Sequence, residues 1–498
     1  MLKIPVFIPL LSLLWTPCAV GQPADSLAAA AQSTALPVSS PEPPAQMVSS
    51  PESAAGSDAV ALAAASVQST AQMVPAAGAP LSLNACMTYA VEHSPAVRQQ
   101  DYTNRNTRQD YIEAVAALVP AISGAVSAST SFGRSVDPQT NTYTDISNLD
   151  NSYGVSGEMP LFAGLSGINT VRVARVMRLM GVEELQRVRD EVALKTMQAY
   201  FDVVYYTESV QLTREQLETS TANLTKSRKL LSLGLKSAAD VAEVEAQCAS
   251  DDYLLTQQEN NLALAKITLA ETMNYPADRE IGIDTRVSIE TPAGAAPYAD
   301  VLAYALDNNP KAQSAAYGVR QMRLKYSVAK GNLYPSVSVG GGYSTNFFMS
   351  FEESDSYPSF KNQFRDNRGY YFSARLSIPL FGGLARRTSV NRARNNWRIA
   401  EQQRGQTLRG LQSEVAQAYQ QMLGSGKEFV QASKKTEASQ LAYKAVAGKY
   451  ERGMVSALDL QTAADKLLQA RSERLRARLQ YIVKARLVEY YNGTPLIR

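Results

Sequence analysis

One stretch of the sequence is written twice. It reads PLFAGLSGINTVRVAR at residues 160–175 and PLFGGLARRTSVNRAR at residues 379–394. The same spacing continues without a gap from these stretches to Pro276 and Pro495, respectively. An agreement of this length indicates a duplication rather than a chance resemblance between two short motifs.

The repeat also extends upstream, where the spacing is slightly shorter. There, Tyr89 and Pro95 pair with Tyr304 and Pro310. Internal repeats govern the architecture of a chain, and a period this long does not suit a solenoid of short units. We therefore predict a first structural repeat over 81–290 and a second over 291–498, each forming half of one body.

The N-terminal region has the pattern of an exported protein. Residues 1–21 contain one Lys and an apolar core that ends at a small-x-small site, which predicts a signal peptide cleaved before Gln22. Lipidation of Cys18 is the alternative. Residues 22–80 are rich in Ala, Ser and Pro and are predicted to be a disordered tail, because such a composition buries little apolar surface.

Each repeat contains a long segment without proline, between Pro160 and Pro276 and between Pro379 and Pro495. Apolar residues recur there every seven positions, which is typical of a coiled coil. A Gly interrupts each segment, and a Ser-x-x-Asp sequence typical of a capping box follows it. We predict helical hairpins over about 164–273 and 383–491, whose first helices of ~65–70 residues would span roughly 100 Å.

The segments before the hairpins change to a period of two. Apolar and small polar residues alternate in four segments, at about 121–133, 151–162, 335–348 and 369–381. This alternation is typical of a transmembrane β-barrel wall, and a half-buried soluble sheet would show it too. Aromatic residues near the strand ends favour the barrel, because such residues gather at membrane interfaces.

Four strands cannot close a barrel, and open strand edges are not tolerated in lipid. The chain is therefore expected to assemble around an axis. Two copies would give eight strands with a filled interior, and three copies would give twelve strands and a lumen. The pattern by itself leaves both possibilities open.

The duplication, the PLF-x-GL line, the Gly turn followed by Ser-x-x-Asp and the order strand, strand, long helix together resemble the TolC family of outer-membrane efflux proteins. The resemblance covers residues ~81–498. It implies a mainly α-helical fold with a transmembrane β-barrel, built as a homotrimer with twelve strands and a long helical periplasmic conduit. The implied partners are outer-membrane lipid, a periplasmic adaptor protein and, through the adaptor, an inner-membrane pump.

The same resemblance assigns site residues. The helical tips that dock onto the adaptor would be Leu233, Gly234 and Leu235 in the first repeat and Arg452, Gly453 and Met454 in the second.

A periplasmic gate is also implied, in which Tyr450 would bond to Asp240 while Asp459 faces the lumen. Two gate positions depart from the family pattern, because Val455 stands where an Arg is expected and Thr462 where a second lumenal Asp is expected. The alternative role for Asp240 and Asp459 is helix capping alone.

The sequence offers no sign of an enzyme. It contains one His, so it predicts neither a His-based metal cluster nor a catalytic triad of the usual form, and no cofactor is expected. The formal net charge of +3 does not indicate a nucleic acid as a partner.

We predict a passive exit conduit of a tripartite exporter that carries small molecules such as drugs or toxic compounds. A protein secretion conduit with the same fold is one alternative. A non-conducting periplasmic coiled-coil spacer is an alternative of another class.

Overall fold

The computed structural model of the chain describes residues 80–136, 141–276, 281–285, 296–351 and 358–497. The predicted signal peptide, Cys18 and the tail up to residue 79 lie outside the described residues.

Both repeats have the predicted order of helices, two strands, a long helix and a shorter helix. The elements of the first are α1 (Leu83–His93), α2 (Pro95–Ala116), β1 (Ala121–Val136), β2 (Tyr143–Ala163), α3 (Ser166–Ser232) and α4 (Ala238–Met273). Those of the second are α5 (Tyr298–Asn308), α6 (Pro310–Gly331), β3 (Ser336–Ser350), α7 (Phe360–Asp366), β4 (Gly369–Ser377), α8 (Ala385–Glu451) and α9 (Ala457–Tyr491). The duplicated fold is therefore confirmed, and α7 is an addition to the second copy.

The duplicated line PLF-x-GL forms the turn from strand to long helix. Gly164 and Leu165 both have left-handed backbone angles, with φ of 60° and 62°, and Gly383 and Leu384 repeat them at 58° and 65°. A left-handed Leu is uncommon because its Cβ crowds the backbone. A Cβ on Gly164 would lie 2.0 Å from the carbonyl oxygen of Gly331, so this turn also needs Gly to let α6 approach.

α3 and α8 are each 67 residues long, which corresponds to about 100 Å. Across the described ranges, no helix contains a stretch that is both long enough and apolar enough to cross a membrane.

The four strands form one antiparallel sheet in the order β1-β2-β3-β4. The pairing register places most apolar residues of the four strands on one face: Val126 pairs with Tyr153, Tyr153 with Thr345, and Tyr343 with Tyr370. Phe348 and Tyr371 lie on the other face. The small polar residues share the other face, where the hydroxyls of Ser127 and Ser152 lie 2.7 Å apart. The sheet thus has one apolar and one polar surface, as the wall of a barrel requires.

Two strand boundaries differ from the sequence pattern. β2 begins at Tyr143, well before the apolar alternation starts, because its polar residues continue the backbone pairing with the outer half of β1. β4 ends at Ser377 rather than at 381. Pro379 lacks an N–H for the ladder, and it restricts the residue before it.

α7 packs on the apolar face of the sheet beside the part of β3 that extends beyond β4. Phe364 contacts the ring of Tyr153 at 5.4 Å between centroids. Gln363 is buried, and its amide accepts from the Phe348 N–H at 2.9 Å and donates to the Phe348 carbonyl at 2.8 Å. Its side chain therefore replaces the strand that β3 lacks at this point.

The helices are arranged side by side in one layer. α6 and α9 pack between α3 and α8, whereas α2 and α4 pack on the other side of α3. The layer therefore ends at α8 on one side and at α2 and α4 on the other. Eighteen residues of α3 are buried, against six of α8, because only α3 has helices on both sides.

Candidate functional site at the helical tips

Each hairpin turns through the same local geometry. α3 ends in a Schellman motif, in which the Leu235 N–H donates to the Leu230 carbonyl at 2.9 Å and Gly234 has a φ of +76°. α8 ends in the same way, with the Met454 N–H bonded to the Lys449 carbonyl at 3.0 Å. A left-handed residue closes the motif, and Gly adopts that conformation at no steric cost.

Capping boxes begin both return helices. The Ser237 hydroxyl accepts from the Asp240 N–H at 3.1 Å, and the Asp240 carboxylate accepts from the Ser237 N–H at 3.1 Å and from its hydroxyl at 2.8 Å. Ser456 and Asp459 form the same box, with a hydroxyl–carboxylate distance of 2.7 Å. These hydrogen bonds lower the pKa of both carboxyls, and the largest cause in each is the Ser hydroxyl.

Tyr450 joins the two hairpins. Lys236 lies in the first turn, and its ammonium donates to the Tyr450 hydroxyl at 2.8 Å and approaches the buried Ser227 hydroxyl at 3.5 Å. Burial by itself raises the pKa of Tyr450, but the hydrogen bonds from Lys236 and Ser227 outweigh it, and the pKa lies below its ordinary value. The contact is therefore charge-assisted.

This pairing differs from the one that the sequence resemblance implied. The Asp240 carboxylate accepts from its own capping residue, while Tyr450 bonds to Lys236. The family pattern has an Arg at the position of Val455, two residues after the turn Gly of the second repeat. Lys236 occupies the equivalent position in the first repeat and supplies the cation instead. Aligning the two repeats position by position would have indicated Lys236. The side chain of Arg452 bonds to the Gly448 carbonyl of its own helix.

A buried polar network, which sequence reasoning missed, lies deeper between the hairpins. Asp251 is 4% exposed and accepts from Ser220 and from the Gln247 amide, the latter at 3.0 Å. Gln247 also accepts from Gln461, and its amide lies 3.4 Å from the Asp465 carboxylate. Burial and then the charge of Asp251 raise the pKa of Asp465.

The outer surface of the tips is apolar. Leu233, Leu235 and Met454 are 63%, 70% and 66% exposed. Exposed apolar groups at adjacent turns form a patch typical of a protein interaction site.

A family model described as "Outer membrane efflux protein" matches residues 88–274 and 301–489, which is more than half of the chain and falls on both repeats. The chain belongs to the outer membrane efflux protein family. No curated protein sequence gives a significant match.

Solved structures of membrane channels and outer membrane proteins share the fold. CusC is 17% identical with a TM-score of 0.71, over 83% of this chain and 92% of CusC. VceC from Vibrio cholerae is 18% identical with a TM-score of 0.68, over 82% and 96%. The CmeC outer membrane channel of Campylobacter jejuni is 14% identical with a TM-score of 0.68, over 84% and 87%.

Membership in this efflux family confirms the broad sequence prediction. The chain is an outer-membrane efflux channel with a large helical portion in the periplasm, and it is not an enzyme. The alternative of a non-conducting periplasmic spacer does not fit this family.

Proposed function

We propose that three copies of this efflux protein form the exit conduit of a tripartite exporter, which passes small molecules from a periplasmic adaptor and an inner-membrane pump to the exterior. The proposal rests on one observation, which is that the sheet and the helical layer of a single chain both end in edges that could pack against another copy. β1 and β4 are the edge strands of the sheet, and α8 is the edge of the helical layer.

Equivalent positions in the two repeats support closure into a ring. Val204 of α3 is fully buried, whereas Leu423, its counterpart on α8, is 43% exposed. Val204 has helices on both sides of it, and Leu423 would gain the same surroundings if α8 packed on α2 and α4 of the next copy. An apolar residue that is exposed in the second repeat while its counterpart in the first is buried is expected at an interface between copies.

The lumen favours three copies over two. Eight strands form a barrel whose interior side chains fill, and twelve leave an open lumen. The polar face of the sheet is lined with Ser, and it would line that lumen.

The contacts at the tips support a gate held by Tyr450 and Lys236, while the other expected gate residues, Asp240 and Asp459, bond to their own capping serines. The Lys236–Tyr450 hydrogen bond connects the two hairpins of one copy. A gate that opens by separating the hairpins must therefore break this bond. Asp240 and Asp459 hold the starts of the helices that follow the turns. If Asp459 also faces the axis, three carboxylates meet there and favour cations.

The exposed tips support docking onto the adaptor. Leu233 and Leu235 of the first turn and Met454 of the second supply the apolar contacts, Gly234 and Gly453 set the turns, and Arg452 adds a charge at the rim. Leu235→Glu combined with Met454→Glu is expected to abolish export and cross-linking to the adaptor, while the conductance of the purified channel stays unchanged. Loss of conductance in this variant would contradict a docking role.

The proposal is tested with the purified protein in uncharged detergent and in planar bilayers. We expect a mass of three chains by light scattering and a small conductance that prefers cations. A folded protein with the mass of one chain, or an oligomer that does not conduct, would overturn the proposed conduit.

A further inference from the structure

A cavity of about 270 Å³ lies between α3 and α6, close to the sheet. Its lining combines three guanidinium groups with three aliphatic side chains, namely those of Arg172, Arg175, Arg320, Val176, Leu179 and Leu324. Arg172 lies about 9 Å along α3 from its first residue, and Arg320 about 17 Å along α6 from its last. Both helix ends adjoin the strands, so the three cations lie at a similar depth below the sheet.

Carboxylates are missing from the surrounding helical segments. Residues 166–182, 310–331 and 385–400 contain no Asp or Glu. They contain thirteen cationic residues: Arg172, Arg175, Arg178, Lys311, Arg320, Arg323, Lys325, Lys330, Arg386, Arg387, Arg392, Arg394 and Arg398. Asp110 and Glu113 of α2 lie on the other side of α3 from α6 and do not line the cavity. Glu183 follows one turn after Leu179 on α3, and Lys311 is paired with Glu414 at 2.8 Å. The positive charge at the cavity itself comes from Arg172, Arg175 and Arg320.

The inference rests on the proposed conduit, in which the cavity opens on the outer side of the helical layer. Met197 of α3 packs in the same core cluster as Cys86 and Met87 of α1. A layer of α1 helices inside a conduit would obstruct it, so this face of α3 points outward. Val176 lies three heptads before Met197 and therefore points to the same side of a supercoiled helix.

We propose that this cavity binds the phosphate group of an anionic lipid from the periplasmic leaflet of the outer membrane. The strand ends next to α3 and α6 lie at that leaflet, so the headgroups are within reach of the arginines. Guanidinium groups bind phosphate oxygens through paired charge-assisted hydrogen bonds. On α6, Leu324 lies nearer the sheet than Arg320 and contacts the first carbons of the acyl chains. Val176 and Leu179 lie farther from the sheet than Arg172 and form the apolar floor of the cavity. Basic pockets between helices at a membrane surface recognise headgroups in this way.

The test is calorimetric titration of the intact protein in uncharged maltoside detergent. The probes are dihexanoylphosphatidylglycerol, dihexanoylphosphatidylcholine and inorganic phosphate. We expect saturable binding of the phosphatidylglycerol, one per chain, and binding at least about ten-fold weaker for the other two. Replacing Arg172, Arg175 and Arg320 together with Gln should weaken phosphatidylglycerol binding at least about ten-fold.

The matched control replaces Arg178, Arg323 and Arg386 with Gln, which removes the same charge from neighbouring turns without touching the cavity. We expect it to bind phosphatidylglycerol like the unmodified chain. Equal weakening in both triple variants would overturn the site in favour of general surface charge. Inorganic phosphate binding as tightly as phosphatidylglycerol would overturn the lipid assignment.

Discussion

Lys236 donates a 2.8 Å hydrogen bond to the hydroxyl of Tyr450, and the two residues belong to different copies of the duplicated repeat. This contact and the Asp251 network, which reaches Gln461 and Asp465 of α9, connect the hairpins near the tips. Polar contacts of this kind can be exchanged for water at a smaller net cost than a packed apolar core. The tip region is therefore suited to opening, whereas the apolar core around Tyr200 and Leu269 holds the hairpins farther from the tips.

Removing the Tyr450 hydroxyl should favour the open conduit. A net loss of about 1 kcal/mol per chain corresponds to about a five-fold change in the closed-to-open equilibrium. Single-channel recording in planar bilayers should show a larger mean conductance for Tyr450→Phe and a similar one for Lys236→Met. Tyr443→Phe, one heptad earlier on α8, is the control and should behave like the unmodified chain. Unchanged conductance in both tip variants would mean that the Lys236–Tyr450 bond does not hold the gate closed.

The network around Asp465 predicts a dependence on pH. Its pKa lies above the ordinary 3.8 because the carboxyl is buried and faces the charge of Asp251. The closed hairpins then bind more protons than separated ones, so closure gains stability as the pH falls and loses it as the pH rises through the window above 3.8. We expect conductance to fall as the pH is lowered from neutral toward 3.8, and Asp465→Asn to remove this dependence.

The carboxyls of Asp240 and Asp459, which cap the return helices, predict a pH dependence of the opposite sign and at lower pH. The pKa values of Asp240 and Asp459 are lowered, so their contribution is present above the ordinary 3.8 and is lost as the pH falls through their folded values below it. They cannot produce the change expected from Asp465, which lies above 3.8. A pH response that persisted unchanged in Asp465→Asn would show that another group controls it.

The proposed interface between copies predicts a difference between two substitutions on α8. Leu423→Asp should prevent assembly, since Leu423 corresponds to the buried Val204. Burial of an unpaired carboxylate at each interface costs several kcal/mol. Leu441→Asp is the matched control, because Leu441 and its counterpart Ala222 are both exposed. Light scattering should give single chains with retained helical circular dichroism for the first and a full assembly for the second.

The attachment of α7 can be measured by proteolysis. Gln363→Ala removes the two hydrogen bonds that its amide makes with the Phe348 N–H and carbonyl, at a cost of about 1–3 kcal/mol. Trypsin should then cleave after Lys361 and Arg365 at least about ten-fold faster. Asn362→Ala, which changes an exposed neighbour in the same helix, should cleave at the original rate. Equal rates in the two variants would mean that Gln363 does not hold the helix.

Much of the fold could be predicted because its signals are local in the chain. The turn at Gly234 and the capping box at Ser237 each depend on residues within five positions of one another. The helix and strand periods depend on neighbours seven and two positions apart. Each of these sequence patterns occurs in both repeats, so its agreement with a known structural motif is not a matter of chance. The boundaries of β2 were not predictable in this way, because backbone pairing continues where the side-chain alternation stops.

The sequence by itself determined the repeat, the long helices, the tight turns and the apolar face of the sheet, since each follows from the chemistry of nearby residues. Only the tertiary structure decided that Tyr450 bonds to Lys236, that Asp251 lies near Asp465, and that Arg320 shares a cavity with Arg175. The two residues of each pair belong to different repeats and lie far apart in the chain, so their proximity depends on how the helices of the two repeats pack. Side-chain packing between distant segments selects one partner among many of similar chemistry, and no local period records that choice.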